Sequence, residues 1–553
     1  MDVDRRDFDF VVVGSGAAGL AGAVTAATLG LRVAVVEKSD LLGGTTAKSG
    51  GGWWAPGNHH MSEVGLADSP EDALAYLRSC APDTEPRLLE AIVDTAPKLV
   101  RFLEEQAGLG AQRPFPTQGG TNDYRPWLHG SRHGGRALYP PRFELRDLGD
   151  WAAKLRVHSL WTGDRLEYYA QRLHLTPPAG DSAGDNVFAS EVDTSAVSSG
   201  TALIADLLRV ALKRGVDVHV ATPARSLVVD AGRVVGVEVE MDGRRETFRA
   251  SRGVLMATGG YAHNPELVKR WLRRPLNESC EAAENVGDGH LMGIAVGADV
   301  ANLGDAWWMP HIHLGFEGGG PLNPASLSRE DRVLPHTMIV NRDGVRFLNE
   351  AQNYYDFGEQ ILECRNASPR HLPAWLIFDQ QGVERYAMLQ LKVGDGPAPD
   401  WLRCGDTIEK LAESIDVPAA ALTATVERFN GFARSGVDLD FQRGESGWDK
   451  SWADPDHLPN GSLGTMEKAP FYAVEVRASA LGTKGGLRVD DRARVIRAGI
   501  EESVIGGLYA AGNCSSGGPA GAYPGPGSTI GSAMTFGYLA ACDAATAEPG
   551  LAG

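Results

Sequence analysis

The chain has 553 residues, 43% of them hydrophobic and 7% aromatic, enough for two or three globular domains with real cores. Its formal net charge of -18 excludes binding to nucleic acid or an anionic membrane through bulk charge. The six cysteines are scattered and form no CxxC pair, which excludes a zinc knuckle or a thioredoxin-like motif and suits a reducing compartment.

The polar, acidic N-terminus does not read as a signal peptide, and no apolar run is long enough to span a bilayer. A cytoplasmic location is expected. Phe8 to Val13 is a short apolar run ending in Gly14-Ser-Gly16-Ala-Ala-Gly19. An alanine-rich helical stretch to Leu29 follows, then a second apolar run from Leu31 to Val36, then Glu37. Residues 70–107 read as amphipathic helices, and 112–145, rich in Gly, Pro and Arg, as a long ordered loop. Residues 162–196 are polar and aperiodic and read as a surface insertion. A helix is predicted over Thr201 to Arg214. Strands are predicted at Val216 to Val220, Ser226 to Val229, Val234 to Met241 and Thr247 to Arg249, with turns at Asp230-Ala-Gly and Asp242-Gly. Gly253 to Gly260 is one more strand ending in glycines. Residues 277–475 mix helix and irregular segments.

The predicted fold class is α/β. A Rossmann-like nucleotide-binding domain is formed by both chain ends (1–276 and 476–553), with an α+β catalytic domain (277–475) inserted between them.

Gly14-x-Gly16-x-x-Gly19 follows a strand and opens a helix. In that context the first glycine makes the turn, the second admits a pyrophosphate, and the third lets helix and strand pack closely. Ser15, Ala17 and Ala18 complete the turn, and the helix N-terminus favours the phosphate charge. Glu37 is placed to accept bonds from ribose hydroxyls, with Lys38 beside it. Further contact segments point to FAD rather than NAD, because an extended cofactor needs contacts spread along the chain. Gly44, Thr45, Thr46, Ser49, Gly50 and Gly51 form a second glycine- and hydroxyl-rich stretch. Thr258 and Gly259 end a strand, and Gly512 and Asn513 close Gly507-Leu-Tyr-Ala-Ala-Gly-Asn513.

Beyond Asn513 lies a loop, Gly517 to Gly531, made almost wholly of glycine, proline and small residues. Tyr523 is its single proton-active side chain. A phenol and free backbone N–H groups in such a loop suit a carbonyl oxygen. Ser528, Thr529 and Ile530 continue it as cofactor contacts. No metal is expected: His311 and His313 stand at H-x-H spacing without a third ligand beside them. Cys514 reads as a small packing residue and Trp307 and Trp308 as core or pocket wall, while Arg136 and Lys484 are left undecided between solvent and cofactor.

These segments resemble the flavoprotein superfamily of succinate dehydrogenases, fumarate reductases and 3-ketosteroid dehydrogenases over nearly the whole chain. Ser49-Gly-Gly-Gly-Trp-Trp-Ala-Pro56, Asp123-Tyr124-Arg-Pro126 and Gly134-Gly-Arg136 are similar to the 3-ketosteroid delta-1-dehydrogenases. So are Ile339-Val-Asn341, Gly344 to Glu350, Tyr354, Gly482 to Arg488 and, most specifically, Tyr523-Pro-Gly-Pro-Gly527. The resemblance implies that Tyr523 and the Gly527 N–H hold a C3 carbonyl. It implies that Tyr354, assisted by Tyr124, removes the C2 proton while a hydride passes from C1 to the flavin; Tyr355 is the alternative base. The implied substrate is a hydrophobic cyclic ketone, and an electron acceptor remains to be identified. Alternatives are a smaller oxo acid such as 4-oxocyclohexanecarboxylate, delta-4 dehydrogenation, and a fumarate-reductase-like ene reductase. A carboxylate substrate calls for a partner among His311, His313, Arg125 and Arg132. Fumarate reductases place an arginine in the last loop, and Gly517 to Gly531 has none. Succinate dehydrogenases attach FAD through a histidine near the Ser49 segment, which also has none, so non-covalent FAD is expected.

Overall fold

The computed structural model describes residues 5–114, 123–157, 195–312, 329–365, 368–386, 388, 401–500 and 503–547. The first apolar run forms β1 (Arg5–Val13), the alanine-rich stretch α1 (Ala17–Thr28) and the second run β2 (Val33–Val36). β1 is the middle of a parallel array. β2 pairs with it on one side, Val13 opposite Val36, and the strand Arg244–Met256 on the other, Val13 opposite Met256. The strand Val504–Ala510 adds outside Arg244–Met256, also in parallel, so residues from both chain ends build one sheet. At the centre of the array, residues 10–13, 33–36 and 254–256 are buried on both faces and are therefore continuous apolar runs rather than alternating patterns.

Two predicted strands, Thr247 to Arg249 and the one from Gly253, are a single strand of 13 residues. β1 runs along it from Thr247 to Met256 with a register shift between Phe8 and Phe10, while its first half also pairs antiparallel with Arg233–Met241 and its end pairs in parallel with Val504–Ala510. The predicted helical region 70–107 forms two helices, Pro70–Cys80 and Pro86–Arg101, and a π-helical turn, Phe102–Ala107. Within 112–145 the strands Arg113–Pro114, Ala137–Tyr139 and Phe143–Glu144 are present. The helix Ser199–Lys213 lies where one was predicted. Nearly all of the polar insertion at 162–196 lies outside the described residues.

The inserted lobe has its own antiparallel sheet, ordered His311–Ile312, Phe471–Arg477, Ala374–Asp379, Thr337–Val340, with Leu402–Gly405 also on Phe471–Arg477. The expected division at 475/476 falls inside the strand Phe471–Arg477, and Ser479–Leu487 still pairs with Val300–Trp308 of the middle of the chain. The pairings of His311–Ile312 with Phe471–Arg477 and of Val300–Trp308 with Ser479–Leu487 join residues more than a hundred positions apart, which no local pattern encodes. One hydrophobic core fills the sheet-and-helix lobe; a second, made largely of residues from the middle of the chain, holds Tyr124, Tyr354 and Tyr523; a third gathers Met338, Val340 and Ile377 with Leu411, Leu422 and Phe429. Among the described residues, no helix is long and apolar enough to cross a membrane.

Candidate active site

A cleft of about 350 Å³ runs from Glu37 and Lys38 at one end to Tyr124, Tyr354 and Tyr523 at the other. The first end is made of backbone. Gly14 has φ +107° and no room for a side chain, since a Cβ there would lie 2.3 Å from the Ala257 carbonyl oxygen. Gly19 faces away from the cleft against Gly14, where a Cβ would lie 2.0 Å from the Gly14 oxygen. Strand and helix therefore touch through backbone. Gly16, Gly44 and Gly50 are the reverse case. A Cβ at Gly44 or Gly50 meets nothing within 4 Å, and at Gly16 only Thr46 Oγ1 at 3.8 Å. All three line the cleft, so their missing side chains leave space for a ligand to approach the chain closely.

Ser15, Ala17, Ala18, Thr45, Thr46, Ser49, Gly51, Thr258, Gly259, Gly512 and Asn513 line the same cleft, as do Thr529 and Ile530. Glu37 also braces the turn: its Oε2 accepts from the Ser15 N–H at 3.0 Å and the Ser15 hydroxyl at 2.6 Å. Lys38 is paired with Asp288 at 2.8 Å. Ser528 is buried in its own loop, bonded to both N–H and C=O of Gly525, and is not among the cleft-lining residues. The long cleft, the open glycines and the helix N-terminus at Ala17 fit FAD, and Glu37, Gly16, Thr45, Thr46 and Asn513 are residues that would hold it.

The other end is made of side chains from three distant segments. The Tyr124 and Tyr354 hydroxyls are 2.5 Å apart. Their rings meet edge to face with centroids 5.1 Å apart, and Tyr523 lies 5.0 Å from Tyr124 and 5.3 Å from Tyr354. Tyr354 opens the helix Tyr354–Ile361, capped by Asn353, whose side chain accepts from the Asp356 N–H. The Asn353 amide also donates to the Tyr124 carbonyl at 3.2 Å, and Arg125 forks onto Asp356 at 2.8 and 3.2 Å. These contacts fasten the Tyr124 segment to the start of that helix. Tyr355 points elsewhere, to Asp305 at 3.2 Å, and burial, with Asp305 beside it, pushes its hydroxyl far above the ordinary tyrosine range. Tyr354 lines the cleft and Tyr355 is not among its lining residues.

Gly527 has φ +82° and caps the 19-residue helix Ser528–Thr546. A Cβ there would lie 2.4 Å from the Gly52 oxygen, and the Gly527 carbonyl accepts from the Trp54 N–H at 3.0 Å. Its N–H has no acceptor among the described residues and lies at the cleft. Lys484, left open by sequence, is buried, donates to the Ala522 carbonyl at 2.6 Å and pairs with Asp305 at 3.0 Å. Asp305 also accepts from the Gly521 N–H, so the pair grips the Tyr523 loop from beneath. Burial pulls the Lys484 ammonium below its ordinary value against the opposite pull of Asp305. Arg136 is buried between Asp68 and Asp123, each at 2.6 Å, and Asp123 receives the Trp54 indole N–H. Beside Asn513, burial pushes the Glu281 carboxyl up to about 7, despite bonds from the Thr483 and Ala262 N–H groups.

The supporting residues Asn353, Asp356 and Asp305 escape sequence reasoning. Asn353 and Asp356 carry a capping signature just before Tyr354; Asp305 carries no signal. Cys514 packs with its sulfur against the Met256 carbonyl, and Trp307 stacks edge-on against Tyr523 while its indole donates to Asn513. The possible carboxylate partners are committed elsewhere: Arg125 to Asp356, Arg132 to Asp72, and His311 to Cys280 and Glu278. His313 lies outside the described residues.

Comparison with known proteins matches the FAD binding domain family over residues 9–530. The chain is 38% identical to a 3-oxosteroid 1-dehydrogenase of Mycolicibacterium smegmatis over 98% of both chains. The chain belongs to this FAD-binding dehydrogenase family. Another member, the 4-oxocyclohexanecarboxylate 2-dehydrogenase of Sinomonas cyclohexanicum, is 38% identical over 97% of this chain and 92% of its own. Among solved members, the 3-ketosteroid delta1-dehydrogenase of Sterolibacterium denitrificans, in complex with 1,4-androstadiene-3,17-dione, superposes with a TM-score of 0.85. It shares 33% identity, covering 98% of this chain and 99% of that one. As a family member the chain is an FAD-dependent oxidoreductase.

Proposed function

We propose that this dehydrogenase introduces the 1,2 double bond of a 3-ketosteroid. The observation that carries the reading is the meeting of Tyr124, Tyr354 and Tyr523 with the Gly527 N–H at one end of the cleft. In this reading Tyr523 and Gly527 donate to the C3 carbonyl oxygen, and the helix N-terminus at Gly527 favours the charge that grows there. Such donors act in the transition state, and each is worth about 2.7–4 kcal/mol. The Tyr354 oxygen, which accepts the Tyr124 O–H, takes the C2 proton. The C2–H and C1–H bonds break and the C1–C2 double bond forms. FAD, which Gly16, Thr45, Thr46 and Asn513 would hold in the cleft, would supply the two-electron oxidation that balances these bond changes. No histidine lines the cleft among the described residues, which supports FAD held without a covalent bond.

The 4-oxocyclohexanecarboxylate relative favours a second reading, a small oxo acid. Against it, the tyrosine end is walled by Trp307, Met309, Leu481 and Pro526, and the nearby arginines already hold carboxylates. Anaerobic mixing with 3-ketosteroids and with 4-oxocyclohexanecarboxylate, followed through the flavin absorbance, decides between them. Rapid bleaching by steroids is expected. Bleaching by the oxo acid alone overturns the steroid assignment, and no bleaching by either overturns desaturation of ketones.

A further inference from the structure

Away from the cleft, two histidines and a glutamate from separate segments converge. His59 and His60 lie on the helical turn His59–Val64, and Glu104 lies on the π-helical turn Phe102–Ala107. Single π turns are uncommon and often mark functional positions. His60 Nε2 is 2.9 Å from Glu104 Oε1, and His59 Nε2 is 3.1 Å from Glu104 Oε2. The three groups offer one ligand atom each, all within 4.8 Å of one another.

His60 stands between two carboxylates, with Nδ1 3.0 Å from Glu63 Oε1 and Nε2 on Glu104. Carboxylates have no proton to give, and a neutral imidazole has one. With Nδ1–H serving Glu63, Nε2 faces Glu104, and either a second proton or a metal ion shared with His59 fills the place between them. A carboxylate behind a histidine is the usual device for orienting a metal-binding ring. Glu104 is itself fixed by the Gln112 N–H at 2.7 Å. His59 Nδ1 is buried without a hydrogen-bond partner among the described residues. The nitrogen–oxygen separations are close to the roughly 3.3 Å left between two ligands of a tetrahedral ion with bonds of about 2 Å.

We propose that His59, His60 and Glu104 form a binding site for a divalent transition metal, Zn²⁺ by its ligand set, with Glu63 orienting His60. Its role is structural. Gln112, which holds Glu104, accepts the Trp53 indole N–H at 3.1 Å, and the next residue, Trp54, donates to the Gly527 carbonyl. The metal therefore braces the strand that backs Gly527. This inference is independent of the ketone reading.

The test uses the FAD-loaded protein, stripped of metal by chelator dialysis and then equilibrated with Zn²⁺. One bound equivalent by elemental analysis is expected, with a raised Tm. Glu63 is exposed, so Glu63→Ala keeps the fold; Zn²⁺ affinity falls about 10-fold or more while the metal-free Tm is unchanged. The pair His59→Gln with Glu104→Gln loses the bound equivalent. With Cu²⁺ as probe, the electron paramagnetic resonance spectrum carries coupling to two nitrogens. Absence of stoichiometric Zn²⁺, equal binding by these variants, or a Cu²⁺ spectrum without nitrogen coupling overturns the site and leaves an imidazolium–carboxylate cluster.

Discussion

The two ends of the cleft are built on opposite principles. At the Glu37 end, recognition is by missing side chains: Gly16, Gly44 and Gly50 leave open space, and Gly14 and Gly19 bring backbone against backbone. At the tyrosine end, it is by side chains brought together from residues 124, 354 and 523 and held by a second layer of Asn353, Asp356, Asp305 and Lys484. In the proposed reading the first end depends on space left open for the cofactor and the second on its hydroxyls. Binding and chemistry are thus separable by mutation.

Tyr354→Phe is the strongest separation. It removes the oxygen assigned as base while keeping the ring contacts, and turnover should fall about 10²–10⁴-fold with the flavin spectrum and FAD content unchanged. Stopped-flow reduction by a 3-ketosteroid measures it. A loss under tenfold removes Tyr354 from the chemistry. Tyr523→Phe comes next, with kcat down about 10²–10³-fold for one lost donor. A change confined to KM means that Tyr523 binds substrate and transition state equally and is no specific stabiliser of the developing charge.

Gly16→Ala acts at the other end. It has an ordinary φ of -69° and a nearest neighbour 3.8 Å away, so the fold survives and the methyl enters the ligand's space. The purified variant should lose most of its FAD while its circular dichroism stays the same. Full FAD occupancy with normal turnover contradicts a backbone cradle at this position.

The smallest expected effect concerns acid. His290 sits in the helix Asp288–Ala295, donates toward the Gly485 carbonyl at 3.1 Å, and is pushed down to about 4 by burial. A base whose folded pKa is depressed binds fewer protons folded than unfolded, so stability is lost as pH falls from 6.5 toward 4. By pH 5 the loss is about 2 kcal/mol. His290→Gln should flatten the Tm–pH slope in that window; an unchanged slope assigns acid sensitivity to other groups.

How far sequence reasoning reaches differs between the ends for the same physical reason. Gly14, Gly16, Gly19 and Glu37 occupy one strand–turn–helix–strand unit whose spacing is local, and β1, α1 and β2 lie where the apolar runs predict them. The tyrosines carry no local signature of one another. Resemblance selects them, and spatial proximity comes only from pairings such as Phe471–Arg477 with Ala374–Asp379. Lys484 and Arg136 illustrate the limit, since a lone cation in sequence gives no hint that it will be buried against Asp305 or Asp123. The strands of the inserted sheet are likewise missed in a region read as helix and irregular segments.

The helix Ser528–Thr546 begins at Gly527 and runs back against α1, where Gly537 meets the Ala18 carbonyl so closely that a Cβ would lie 2.3 Å from it. One stiff rod therefore spans the distance between the nucleotide turn and the carbonyl donor. Any displacement of α1 is delivered to Gly527 along the rod's length. If Gly527 holds a ketone oxygen as proposed, the reach to it from the nucleotide turn is a fixed gauge, and room for ketones of other sizes is set on the opposing jaw, the segments bearing Tyr124 and Tyr354.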